Sequence, residues 1–135
     1  MKIAIMGSGA VGAYVGARLQ AAGADVTFIA RGAHLVAMQQ QGLHIQMPGK
    51  DLALTKVKAT DDPSSVGGMD LVVFAVKLTD TATAAQALRS VVTDHTRVLT
   101  LQNGIDSVAM IKHELPTAKV LGGVIYVSAV IDSPG

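Results

Sequence analysis

Six residues near the start of the chain constrain its fold more than any others. Gly7-Ser8-Gly9-Ala10-Val11-Gly12 follows the short β-rich run Lys2-Ile-Ala-Ile-Met6 and opens a segment whose apolar Val11, Tyr14, Val15 and Leu19 have helical spacing. A G-x-G-x-x-G alone is weak, because any glycine-rich chain can contain one. Placed between a strand and a helix it acquires a mechanism. Gly7 permits the tight turn, Gly9 lets backbone approach a pyrophosphate, and Gly12 lets the helix pack close to the strand. Ser8, Ala10 and Val11 complete the loop, whose unpaired helix amides face the anion at the positive end of the helix dipole. A βα turn without a ligand would use the same spacing. The motif also explains three of the four glycines in a stretch, Met1 to Arg18, that superficially resembles a secretory signal.

The rest of the chain alternates in period. The spacing predicts a helix over Ala10–Ala22 closed by Gly23, a strand over Asp25–Ile29 and a helix over Ala33–Gln41 closed by Gly42. Two extended pieces, Leu43–Met47 and Leu52–Val57, flank the turn signal Pro48-Gly49-Lys50-Asp51. Strand Asp70–Val76, helix Thr79–Val91, strand Arg97–Leu101, helix Ile105–Leu115 and a long strand Lys119–Ile131 follow. Strands apolar on both faces, alternating with helices, predict a Rossmann-like, doubly wound α/β domain over residues 1–135, with a mostly parallel sheet and helices on both faces. Ligands of such sheets bind at the carboxyl ends of the strands. The chemistry-bearing residues are therefore sought there.

An NAD-binding domain places Asp or Glu at the end of its second strand, to bind the ribose hydroxyl. This chain has Ile29-Ala30-Arg31-Gly32 there, with no carboxylate. Arg31 is suited to a 2′-phosphate, through charge-assisted bonds of about 1.5–3 kcal/mol, a roughly 10- to 150-fold preference. The reading is NADP(H); the alternative is an ordinary surface arginine. Lys77 directly follows Val76, where it either orients a carbonyl or carboxylate substrate or points to water. Asn103, in Gln102-Asn103-Gly104, reads as part of a βα turn offering a donor and an acceptor to the same crevice. Lys77 and Asn103 are thus the candidates for positioning substrate and nicotinamide.

Composition removes several other functions. Half the residues are hydrophobic, 16% are charged and the formal net charge is +1, which excludes a disordered segment and a dedicated nucleic-acid binder. With no cysteine, thiol catalysis and Cys-zinc sites are excluded. His34, His44, His95 and His113 lack metal-ligand spacing, so no metal is expected. His34 follows Arg31 closely enough to approach the adenine end of a cofactor. The apolar run Val120–Ile131 is too short for a membrane span, which needs about 20 residues.

MKIAIMGSGAVG, the Phe28-Ile29-Ala30-Arg31-Gly32 segment with His34-Leu35, Val76-Lys77, Gln102-Asn103-Gly104, Val127-Ser128-Ala129 and Pro134-Gly135 together resemble the N-terminal domain of ketopantoate reductase (2-dehydropantoate 2-reductase). The resemblance covers essentially the whole chain. It implies a cytoplasmic, NADPH-dependent oxidoreductase of pantothenate biosynthesis that reduces the 2-keto acid ketopantoate. Gly7, Gly9 and Gly12 would lie at the pyrophosphate, Arg31 at the 2′-phosphate, and Lys77 and Asn103 near nicotinamide and substrate. The family's helical second domain carries a general-acid lysine and a substrate-binding carboxylate that have no counterpart in these residues. The expectation is a domain that binds NADP(H) but turns over slowly or not at all alone, and that self-associates if apolar surface is left uncovered. Two alternatives remain: the cofactor domain of another 2-keto-acid or opine-type dehydrogenase, and a non-catalytic NADP(H)-sensing module.

Overall fold

A computed structural model describes residues 1–135. Strand β1 (Lys2–Met6) leads into helix α1 (Ala10–Ala21), β2 (Asp25–Ile29) and α2 (Gly32–Gln41). The short strands β3 (Leu43–Ile45), β4 (Leu52–Leu54) and β5 (Lys58–Thr60) follow, then β6 (Leu71–Phe74) and α3 (Thr81–Ala87). The last elements are β7 (Arg97–Thr100), α4 (Ser107–Glu114) and β8 (Lys119–Gly122). Six strands form one sheet in the order β5-β2-β1-β6-β7-β8, with every pairing parallel. The expected doubly wound α/β domain is present.

Alternation along β1 divides the core. Ile3 and Ile5 pack with Ala13 and Ala17 of α1, Leu35 and Met38 of α2, and Val26 and Phe28 of β2. Ala4 and Met6 point the other way, toward Ala84 and Ala85 of α3 and Ile111 of α4. Strands with apolar residues on both faces can only sit between two helical layers. Helix α1 ends in a Schellman arrangement: Gly23 takes φ +95°, its amide bonds to Gln20 O at 2.9 Å, and Ala24 N bonds to Leu19 O at 3.1 Å. The chain is thereby turned back into β2, whose register on β1 runs from Lys2↔Asp25 to Met6↔Ile29.

Several elements differ from the sequence-based expectation. Of the piece expected over Leu52–Val57 only the first three residues are strand, and a further strand that was not expected follows it. Leu52–Leu54 closes an antiparallel hairpin on β3, and the chain then restarts as β5 on the edge beside β2. The expected helix Thr79–Val91 begins as a 3₁₀ turn at Leu78–Asp80 and leaves α-helical geometry after Ala87, where Leu88 N and Arg89 N bond three residues back. The helix expected from Ile105 begins at Ser107, leaving Ile105 91% exposed in the preceding turn.

The largest difference is the last strand, expected over Lys119–Ile131. It stops at Gly122 because its neighbour β7 stops at Thr100, and the final ladder-like bond runs from Gly123 N to Thr100 O at 2.8 Å. Local pattern favours extension to Ile131, but a strand persists only where backbone groups have partners. Residues 124–131 form no ladder, and Val124, Tyr126 and Val130 project from them, at 79%, 97% and 85% exposure. No helix is long and apolar enough to cross a membrane.

Candidate functional site

The β1–α1 turn has the steric character that its glycines suggest. Gly7 takes φ +92°, and a Cβ there would come within 2.6 Å of Val76 Cγ1 and 2.7 Å of Val76 N. The turn thus lies hard against the end of β6. A Cβ on Gly12 would collide with the Gly7 carbonyl oxygen and reach 3.1 Å from Ile5 Cγ2, so helix and strand are as close as two backbones allow. Between them Ser8 is buried, donating its amide to Ile29 O at 3.0 Å, while its hydroxyl lies 3.4 Å from Ile5 O.

Gly9 is different. A Cβ added to it would meet nothing within 4 Å, and its φ of −71° suits any residue. Packing therefore does not require glycine at this position, and the space a side chain would fill is open. The first bond of α1 runs from Ala13 N to Gly9 O at 2.7 Å, so the amides of Ala10, Val11 and Gly12 have no partner within the helix. No acidic side chain lies in the first turn and no side chain caps the helix. Free amides beside an open backbone approach suit a pyrophosphate.

The other three candidates lie along the same edge of the sheet. Arg31 caps α2 just after β2, Lys77 precedes the 3₁₀ turn after β6, and Asn103 lies in the turn after β7. The strand order β2-β1-β6-β7 therefore arrays Arg31, the glycine loop, Lys77 and Asn103 in that sequence. At the usual strand spacing this edge spans about 14 Å. Lys77 and Asn103 are both exposed. The Arg31 side chain is 77% exposed, with Nη2 3.9 Å from Asp80 Oδ2 across the crevice. A pair so long and so exposed holds the guanidinium only weakly. No carboxylate occupies the end of β2: Ile29 and Ala30 are buried, and Ala30 N bonds to Thr60 O of the edge strand at 3.0 Å.

Sequence reasoning did not single out Gln102 and Thr81, which are buried between the two strand ends. Gln102 Nε2 donates to Val76 O at 2.9 Å and to Thr81 Oγ1 at 2.8 Å, and the Thr81 hydroxyl donates to Leu78 O at 2.7 Å. On the other side, the Thr100 hydroxyl donates to Gln102 Oε1 at 3.2 Å and accepts from Gln102 N at 3.3 Å. The only hint in the sequence was the place of Gln102 immediately after a strand. His34, expected toward the adenine end, faces a cavity of about 710 Å³ that Tyr14 and residues of the final segment also line. Its Nδ1 accepts from Gly135 N at 3.1 Å.

No three potential ligands among His, Asp and Glu cluster as a metal site would require. Of the carboxylates held below their ordinary range, Asp25 lies at the start of β2 and Glu114 at the end of α4, away from this edge, while Asp62 follows β5 on the same edge, outside β2. Asp25 is lowered by the hydrogen bond from Lys58, Asp62 by those from Ser64, and Glu114 by its bonds with His113 and Gln86. They serve the scaffold.

Residues 3–135 match the family model described as ketopantoate reductase PanE/ApbA. A 2-dehydropantoate 2-reductase of Mesorhizobium japonicum is 33% identical over 156 residues, covering 100% of this chain and 48% of the relative. The crystal structure of a PanE/ApbA family ketopantoate reductase from Ralstonia eutropha JMP134 superposes with a TM-score of 0.93 at 42% identity, over 99% of this chain and 44% of that one. A ternary structure of D-mandelate dehydrogenase with NADH and anilino(oxo)acetate superposes at 0.90 with 28% identity, over 99% and 44%. The chain spans about half the length of the curated relatives it matches. Sequence and fold agree along nearly the whole of residues 1–135, and the chain belongs to the ketopantoate reductase PanE/ApbA family.

Proposed function

We propose that residues 1–135 are the NADP(H)-binding domain of a 2-dehydropantoate 2-reductase, which reduces ketopantoate to pantoate. The observation that carries this reading is the ordered edge: an open glycine loop at β1, flanked by an exposed, weakly paired arginine at β2 and two polar residues at β6 and β7. Bound NADPH would supply the hydride. Gly7 and Gly12 keep turn and helix close, Gly9 leaves the approach open, and the amides of Ala10, Val11 and Gly12 donate to the pyrophosphate. Arg31 leaves Asp80 for the 2′-phosphate, a stronger partner because its charge is larger and its oxygens accept several hydrogen bonds. Lys77 and Asn103 then hold the nicotinamide end and the substrate carbonyl near each other.

Reduction adds a hydride to C2 of the keto acid and a proton to its oxygen. By resemblance, that proton comes from a lysine of a second domain, outside these residues. The isolated chain should therefore bind NADPH without consuming it appreciably when ketopantoate is added. Fluorescence titration and absorbance at the nicotinamide band test both halves. Failure to bind NADPH overturns the reading, and steady oxidation with ketopantoate overturns the assignment of the acid to another domain. Cytoplasmic localisation and self-association through the exposed 124–131 segment belong to the same proposal. The likeness to D-mandelate dehydrogenase favours one alternative, a different 2-keto acid as substrate. Comparing how phenylglyoxylate and ketopantoate bind the NADPH-loaded chain separates the two.

A further inference from the structure

The parallel ladder between β6 and β7 ends where Leu101 N bonds to Phe74 O at 2.9 Å. Beyond that bond the two strand ends separate, one toward Lys77 and the other toward Asn103. The Gln102 side chain spans the gap. Its amide nitrogen holds the carbonyl of Val76 directly, and the carbonyl of Leu78 through the Thr81 hydroxyl. Those two carbonyls flank Lys77. Gln102 is itself the residue before Asn103, and its other end is fixed by Thr100. Val76 is also the residue against which Gly7 lies.

We infer that Gln102 is a positioning residue, whose buried amide sets the spacing between Lys77 and Asn103 and backs the wall behind the glycine loop. The inference rests on the proposed roles of Lys77 and Asn103 at the nicotinamide end. Both donor hydrogens of the amide are used, and an apolar residue of the same length would leave the Val76 carbonyl and the Thr81 hydroxyl without this donor. The turn after β6 would then be held by the Asp80 N to Lys77 O bond, at 2.9 Å, and by packing. Lys77 and Asn103 would lose their common reference.

The test compares NADPH affinity of the 135-residue chain with Gln102→Met, Thr81→Val, Lys77→Ala, Asn103→Ala and the double variant Gln102→Met/Lys77→Ala, each checked for folding by circular dichroism. Gln102→Met is expected to weaken NADPH roughly ten-fold, from the loss of two buried bonds. Thr81→Val, which cuts only the link to Leu78, should give a smaller loss in the same direction and stands in should Gln102→Met fail to fold. Because Gln102 acts in part through Lys77, the double variant should lose clearly less affinity than the sum of the two single losses. Additive losses would mean that Gln102 contributes only to general stability and would overturn the inference. So would a folded Gln102→Met that binds as the unaltered chain does, while Lys77→Ala does not. If neither Lys77→Ala nor Asn103→Ala changes affinity, the reading of those two residues fails first and the positioning role falls with it.

Discussion

Gly9 and Gly12 lie three residues apart in one motif, yet the structure gives alanine opposite consequences at the two positions. At Gly12 the new methyl would collide with the Gly7 carbonyl oxygen and press on Ile5 Cγ2 at 3.1 Å. Two of the groups that must yield are backbone and a fully buried strand residue, so α1 would have to lift from β1. Overpacking of this kind costs about 1–3 kcal/mol. For a domain of this size that lowers Tm by roughly 3–15 °C. At Gly9 the methyl meets nothing within 4 Å, and φ of −71° suits alanine. Gly9→Ala should therefore melt at or slightly above the parent temperature, since restricting the unfolded chain contributes about 0.4–1 kcal/mol. Its cost falls on the ligand. The methyl occupies the approach of the pyrophosphate, and losing one or two charge-assisted bonds weakens NADPH by about ten- to hundred-fold. Differential scanning fluorimetry with and without NADPH reads both quantities on one instrument. A Gly9→Ala protein that is unchanged in both stability and affinity would refute the assignment of that open space to the cofactor. A Gly12→Ala protein that melts with the parent would refute the close-packing argument.

Other outcomes follow from particular contacts. Asp80→Asn removes the competing partner of Arg31 and should tighten NADPH by no more than about five-fold, since so exposed a pair is worth at most about 1 kcal/mol; titration at low salt checks it. Asp25, Asp62 and Glu114 have folded pKa values below their unfolded ones, so their contribution to stability is complete above the ordinary carboxylate range, about 4, and is lost as pH falls through the lowered values. Urea denaturation should show a plateau in stability above pH 5 and a fall below pH 4, with a shallower fall in Asp62→Asn. Light scattering at high concentration should detect self-association through the exposed Val124, Tyr126 and Val130, relieved by Tyr126→Ser and Val130→Ser. Strictly monomeric behaviour would remove that expectation.

The sheet edge was legible because its signals are local. A glycine spacing, an arginine where a carboxylate is customary, and polar residues directly after apolar runs all depend on near neighbours in sequence. The order that lines them up follows from right-handed crossovers. What escaped depends on partners distant in the chain. Strand β5 carries little apolar side chain and exists because the backbone of β2 is there to pair with it, so the expected extended piece stopped at Val57, just short of it. The run to Ile131 has strand character but no neighbour past Thr100. Gln102 looked like one more loop residue; only the convergence of β6, α3 and β7 makes it a buried junction. His34 was placed by its distance in sequence from Arg31, whereas its ring is held by a residue far along the chain, Gly135, whose amide donates to Nδ1.

The central claim is that the edge built by Arg31, Gly7–Gly12, Lys77 and Asn103 is a site for a 2′-phosphorylated dinucleotide. The ratio of the dissociation constants of NADH and NADPH for the 135-residue chain, at one fixed ionic strength, tests it most directly. The account predicts NADPH to bind roughly 10- to 150-fold more tightly than NADH, and the ratio to fall to near one in Arg31→Ala. Equal affinity of the unaltered chain for the two dinucleotides would contradict it.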